Sequence, residues 1–214
     1  MDLTLDYGRT GLPVSLPDDA NITVLHPAYV PALPDPAAAL RDALRGPIGS
    51  APLRERVAAE DTVAIVFSDI TRPTPNHLLI PAILAELPHV PPENIVLCNA
   101  LGTHRFNTRD ELIEMLGEAI VDGYRIEQND CFDPSTQVHL GTSSHGHEIW
   151  INRAYMEASV KILTGFIEPH YFAGFSGGGK AVMPGMAGQM TVLGNHDAGM
   201  IADPRATWGV AQGN

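Results

Sequence analysis

Lysine is nearly missing from this sequence. Its 13 basic residues are eleven arginines and two lysines, Lys161 and Lys180. Against 25 acidic residues they leave a formal charge of −12, which excludes a broad surface for phosphate backbones, so no nucleic-acid partner is expected. Cysteine is as scarce. Cys98 and Cys131 are too few for a disulfide framework and lack zinc spacing, and read as packing residues. No apolar run reaches the ~18 residues of a membrane span. The acidic start "MDLTLDYGRT" has no signal-peptide layout, so the expectation is a cytoplasmic protein without a membrane partner. What is present is ordinary for a folded chain: 44% apolar and 18% charged residues over a length of 214, enough for one sizeable core.

Hydrophobic periodicity predicts the scaffold. "LTLDYGRTGLPVSLP" alternates around Gly8 and Gly11 as a hairpin does, and "NITVLHP" reads as a further short strand. After prolines 31, 34 and 36, "AAALRDALRG" has helical spacing. "DTVAIVFSDI" is a continuous β-branched apolar run ending in polar residues, the mark of a strand buried on both faces of a parallel sheet. A helix near 76–87 follows. The cycle recurs in "NIVLCNALGTHR" with the helix "TRDELIEMLGEA", and again in "SVKILTGFIEPH" with a helix in "AGQMTVLGNHDAGM". The fold class is therefore α/β, a mainly parallel, Rossmann-like sheet flanked by helices, with a short N-terminal β-hairpin.

Between residues 170 and 185 the chain reads "HYFAGFSGGGKAVMPG". Gly174, Gly179 and Lys180 fit the phosphate-loop spacing G-x-x-x-x-G-K, but Ala181 stands where a nucleoside triphosphatase needs Ser or Thr to hold magnesium. In a chain that otherwise uses arginine, a lysine kept inside a glycine loop points to amine chemistry, because a guanidinium stays protonated and is a poor nucleophile.

Ligands of parallel sheets bind beyond the carboxyl ends of the strands. Three strand ends carry polar clusters: "SDITRP" with Asp69, Thr71 and Arg72, "GTHR" with His104, and "EPHYFAGFSGGGK" with His170 and Lys180. Singly these are weak signals: a lone histidine is more often a structural hydrogen-bonder, and Arg72 can simply pair with Asp69. Their coincidence favours one crevice. His145 and His147 have metal-like spacing, yet the glycine between them favours a turn over a second metal site. His77 reads as a helix-start residue.

The runs "SDITRPTPNHLLIPAIL", "ALGTHR", "LTGFIEPHYFAGFSGGGKAVMPG" and "TVLGNH" together resemble the N-terminal half of the nickel-dependent lactate racemase family, from about residue 10 to the end. That family racemises or epimerises 2-hydroxy acids with a nickel pincer nucleotide, a pyridinium-3-thioamide-5-thiocarboxylic acid mononucleotide gripping one nickel ion. The resemblance implies that Lys180 carries the cofactor through a thioamide and that His196 is a nickel ligand. It makes His104 and His170 the catalytic histidines on opposite sides of the substrate, and Arg72 a carboxylate-binding residue of the substrate site. Asp69 is expected to orient Arg72 or a histidine. Gly177, Gly178 and Gly179 are expected to allow close backbone approach to the cofactor.

The implied mechanism removes the hydroxyl proton with one histidine while the α-hydrogen leaves as a hydride, and uses the other when the hydride returns to the opposite face. The expected partners are a small 2-hydroxy acid and the proteins that mature the cofactor. The family has a second domain of similar size where this chain stops, so residues 1–214 read as its N-terminal catalytic and cofactor-binding domain, expected to be inactive alone. Two other readings stand beside it: a phosphate-loop-like nucleotide hydrolase, and a non-catalytic ligand-binding domain.

Overall fold

The two buried runs "DTVAIVFSDI" and "NIVLCNALGTHR" form strands as predicted in the computed structural model, which describes residues 1–26 and 28–212. The chain divides into two units, Met1–Pro34 and Asp35–Asn214. In the first, β1 (Asp2–Leu5) pairs antiparallel with β2 (Leu12–Ser15), as the alternation around Gly8 and Gly11 predicts. The strand expected in "NITVLHP" does not form: residues 21–26 carry no regular structure, and Pro27 lies outside the described residues. Val24 and Leu25 are exposed, so the segment has neither a partner ladder nor a buried face to stabilise it.

The second unit opens with α1 (Pro36–Arg45) and α2 (Leu53–Arg56), then β3 (Val63–Ser68), α3 (Asn76–Ala85) and β4 (Ile95–Ala100). Next come α4 (Arg109–Leu116), α5 (Glu118–Gly123) and β5 (Arg125–Gln128). A hairpin of β6 (Gln137–Thr142) and β7 (Glu148–Asn152) leads through α6 (Arg153–Glu157) into β8 (Val160–Leu163). The two-residue strands β9 (Pro169–His170) and β10 (Gly174–Phe175) precede α7 (Gln189–Asn195) and α8 (Ala198–Ile201). The single helix expected over 108–119 breaks at Gly117, whose φ is 88°. The one expected over 187–200 breaks at His196, because the Asp197 side chain caps a new helix by accepting from Met200 N at 2.8 Å.

Four strands form one parallel sheet in the order β5-β4-β3-β8. Along β3, Val63, Ile65 and Phe67 face a core closed by α3 and α4 through Ile80, Ile83 and Leu112. Ala64 and Val66 face the other way, onto Ile151, Tyr155, Met186 and Val192. Because both faces are buried, β3 and β4 read as unbroken apolar runs rather than alternating ones. Cys98 lies in the second core, where burial pushes its thiol up to about 12, so it packs and does not react. The chain leaves β3 to build β4 and β5 on one side, then returns to place β8 on the other. That reversal sets a topological switch point between β3 and β8, where ligands of such sheets bind. Among the described residues no helix is long and apolar enough to cross a membrane.

Candidate active site

Beyond the carboxyl ends of β3, β4 and β8 lies a cleft of about 390 Å³. Asp69, Arg72, His104, Lys180 and His196 all line it, so five of the residues singled out from the sequence meet in one place. His170 lines an adjoining, wider cleft that shares Lys180, His196 and Gly177 with the first. His104 lines the first cleft and His170 the adjoining one, with Lys180 and His196 common to both.

Asp69 is the first residue past β3 and is buried, 3% exposed. Its Oδ2 accepts from His104 Nδ1 at 2.8 Å and its Oδ1 from Thr71 Oγ1 at 2.9 Å. Of the two expectations for Asp69, orienting Arg72 or orienting a histidine, the side chain does the second. With Nδ1 donating to a carboxylate, the neutral His104 ring keeps its lone pair on Nε2. The loop bearing His104 is fixed from both ends. Gly102 N donates to Gly185 O at 2.9 Å, and past His104 the backbone N of Asn107 donates to Gln128 Oε1 at 2.7 Å. Asn99, fully buried on β4, donates to Asn107 Oδ1 at 2.7 Å. Arg105 then grips Glu111 with two bonds of 2.8 and 2.6 Å. This pair, with the Thr108 backbone N–H at the head of α4, holds the Glu111 carboxyl at about 2.

Lys180 sits in a 3-10 turn, Gly178–Ala181, and is half-buried. Burial first, and then the Arg72 charge, lower its ammonium below the usual lysine range, with Glu168 opposing. A lowered amine is a better nucleophile near neutrality. His196 closes α7, and its Nδ1 donates to Val192 O at 2.8 Å. A carbonyl holding Nδ1–H leaves the lone pair of the neutral ring on Nε2, the arrangement that metal-binding histidines use.

The glycines of the loop differ: Gly177, at φ 80°, would bring a Cβ to 3.0 Å from Ile167 Cγ1, and Gly178 has a φ of 51°. A Cβ on Gly174 would lie 1.9 Å from Val210 O, so packing alone demands glycine there. At Gly178 and Gly179 a Cβ would meet no described atom within 4 Å. Both are exposed and line the wider cleft. Packing within the chain gives no reason for glycine at 179, whereas a molecule lying against the loop would.

Glu168 carries no signal in the sequence reading, yet its carboxylate stands 3.8 Å from Arg72. It is placed by Ser176, whose Oγ accepts from Glu168 N at 3.0 Å and donates to Phe166 O at 2.6 Å. Nothing in the spacing of "FIEPH" marks this residue, because the contact joins segments nearly a hundred positions apart. His145 falls in the β6–β7 turn and His147 meets Asp197 at 2.9 Å. Among the described residues no three His, Cys, Asp or Glu side chains gather into a metal-holding group. His77 is exposed at the start of α3.

A parallel α/β domain with its polar residues collected at the switch point has the architecture in which such sheets place small-molecule sites. Residues 7–209 match the lactate racemase N-terminal domain family, and the chain belongs to that family. The lactate racemase of Lactiplantibacillus plantarum is 40% identical over 167 residues, covering 78% of this chain and 39% of that protein. The lactate racemase of Thermoanaerobacterium thermosaccharolyticum is 32% identical over 217 residues, covering 100% and 51%. The lactate racemase apoprotein structure from the latter organism superposes with a TM-score of 0.84 at 30% identity, covering 100% of this chain and 50% of that one. A protein from Thermotoga maritima shares the fold at a TM-score of 0.67 and 23% identity, covering 85% and 46%. The chain thus spans about half the length, or less, of the curated relatives it matches.

Proposed function

We propose that this chain is the cofactor- and substrate-binding domain of a racemase or epimerase of lactate-like 2-hydroxy acids that works with a nickel pincer nucleotide. The observation that carries the proposal is the charge of the cleft. In a chain of net charge −12, Arg72 and Lys180 line one cleft together with a histidine base already oriented by a buried carboxylate. An anionic substrate carrying a removable proton suits that set.

Arg72 holds the substrate carboxylate through its guanidinium fork. The His104 Nε2 lone pair takes up the hydroxyl proton, and Asp69 keeps the ring in the tautomer that can do so. The residues present fit the cofactor: a lowered amine at Lys180 to attach it, a free Nε2 at His196 to ligate its metal, and open glycines at 178 and 179 against which it can lie. Bound there, the pincer nucleotide supplies a hydride-accepting ring. His196 contributes an imidazole to nickel, a pairing that ligand softness favours. The nucleotide hydrolase reading is disfavoured by Ala181 and by the short 3-10 turn Gly178–Ala181, which stands in place of a long helix with its N-terminus on the loop.

The test is to produce the chain together with the cofactor-forming enzymes and measure nickel and intact mass. An adduct lost in Lys180→Arg is expected, and an adduct that survives the substitution refutes the attachment. With racemising enzyme, lactate deuterated at the α-carbon is expected to keep its label, and wash-out into water would rule out hydride transfer.

A further inference from the structure

The helix that ends in His196 is fastened to the β6–β7 hairpin at both ends. At its start, Thr191 Oγ1 accepts from Trp150 N at 2.7 Å and donates to Glu148 O at 2.9 Å, and Gly188 N donates to Trp150 O at 2.8 Å. At its far end α7 is met by His147, from the turn of the hairpin. His147 Nε2 donates to Asp197 Oδ2 at 2.9 Å. The ring lies so close over the helix that a Cβ on Gly194 would stand 2.8 Å from His147 Cγ. Gly194 has no positive φ, and glycine is a poorer helix former than alanine, so the ring is what requires glycine there. Ser143 closes the turn that presents the ring: its N donates to His147 O at 2.8 Å and its Oγ accepts from His147 N at 3.1 Å.

We propose that His147 is a positioning residue for His196: it pins the corner between α7 and α8 from the hairpin side and so fixes where the imidazole offered to the metal stands. The proposal rests on the nickel reading above. His196 is tied to the last turn of α7 through Nδ1 and Val192 O, and the next residue in the chain is Asp197. The Asp197 carboxylate works in two directions. Its Oδ1 accepts from Met200 N at 2.8 Å and starts α8, while its Oδ2 takes the bond from His147. Without that second bond, a helix of seven residues would be held to the hairpin by its first turn only, and so short a helix does not keep its last turn unaided. His147 and His196 line the same wide cleft. The Nε2 of His147 is spent on Asp197, so it supports a ligand instead of being one.

Two measurements test this, the first on the chain without cofactor. In His147→Ala the amides of Met200, Ile201 and Ala202 are expected to exchange hydrogen about tenfold faster, the value of one charge-assisted hydrogen bond, while those of Thr191 and Val192 keep their protection. His147→Gln, which places an amide N–H near the Nε2 position, is expected to restore the slow exchange. Gly194→Ala is expected to repeat the loss by pushing the ring away, although alanine is the better helix former. Unchanged exchange in His147→Ala overturns the proposal. The second measurement uses chain produced with the cofactor-forming enzymes. His147→Ala is expected to keep the Lys180 mass adduct and to give up nickel at a chelator concentration about ten- to a hundredfold lower than the parent needs, the usual worth of a group that orients a metal-binding histidine. His147→Gln is expected to behave as the parent does. Nickel held as tightly in His147→Ala as in the parent, or adduct and nickel lost together, overturns the positioning role. A parent chain that takes up no nickel refutes the nickel reading and the proposal with it, and the exchange result, which needs no metal, tells that failure from a failure of the clasp.

Discussion

Replacing Gly179 by alanine separates what the fold requires from what a ligand requires. Gly179 has no positive φ and lies in the 3-10 turn Gly178–Ala181. A Cβ there would have no described atom within 4 Å. A methyl group adds no clash and removes backbone freedom from the unfolded chain, which stabilises by about 0.4–1 kcal/mol at a compatible site. For a domain of this size that is a rise in Tm of about 1–4 °C. If the cofactor rests on the glycine face, the same methyl group occupies its place, and nickel content and mass adduct should fall sharply in protein made with the cofactor-forming enzymes. The expected pair of results is a protein at least as stable as the parent and poorly loaded. A fall in Tm would mean that the position is a packing glycine after all. Unchanged loading would mean that the cofactor, if bound, does not touch residue 179.

The remaining predictions concern charge and core. Lys180 should be acylated by acetic anhydride with a pH profile displaced to the acid side of a free lysine, because its lowered ammonium releases the neutral amine earlier. Arg72→Leu removes one cause of that displacement and should move the profile part of the way back, as peptide mass mapping will show. Arg72→Lys should weaken lactate binding by about ten- to a hundredfold, the worth of one lost charge-assisted hydrogen bond, and unchanged affinity in calorimetry would remove Arg72 from the substrate site. Phe67, fully buried beneath α3 and α4, should cost about 3–5 kcal/mol as alanine, a drop in Tm of about 6–20 °C, whereas a loss below 1 kcal/mol would contradict the packing described.

The parts of the fold that the sequence discloses are those whose environment is uniform. β3 and β4 are buried on both faces, so Val63–Ser68 and Ile95–Ala100 stand out as apolar runs. β5, with exposed Arg125, and the partly solvated β6–β7 hairpin have no such signature and were not anticipated. Helix breaks at Gly117 and His196 depend on a single dihedral and a single cap, which periodicity over a dozen residues averages away. At the site, residue types at strand ends pointed to Asp69, Arg72, His104, His170 and Lys180. His196 came from resemblance to relatives. Neither route could show that Asp69 belongs to His104 or that Glu168 faces Arg72. Those are consequences of loop conformation and long-range approach, and no local pattern encodes them.

The pairing of β3 with β8 also fixes when the cleft can exist during synthesis. Val63 lies beside Val160 in the sheet, and closing a loop of that length costs about 4 kcal/mol of chain entropy by the logarithmic rule. Until β8 has left the ribosome, β3 presents one unpaired edge and the cleft has a single wall, bearing Asp69 and His104 but neither Lys180 nor His196. A nascent chain stalled near residue 158 would therefore carry Asp69 and His104 with neither Lys180 nor His196, and a cofactor held as proposed could be attached only after the last strand of the sheet has paired.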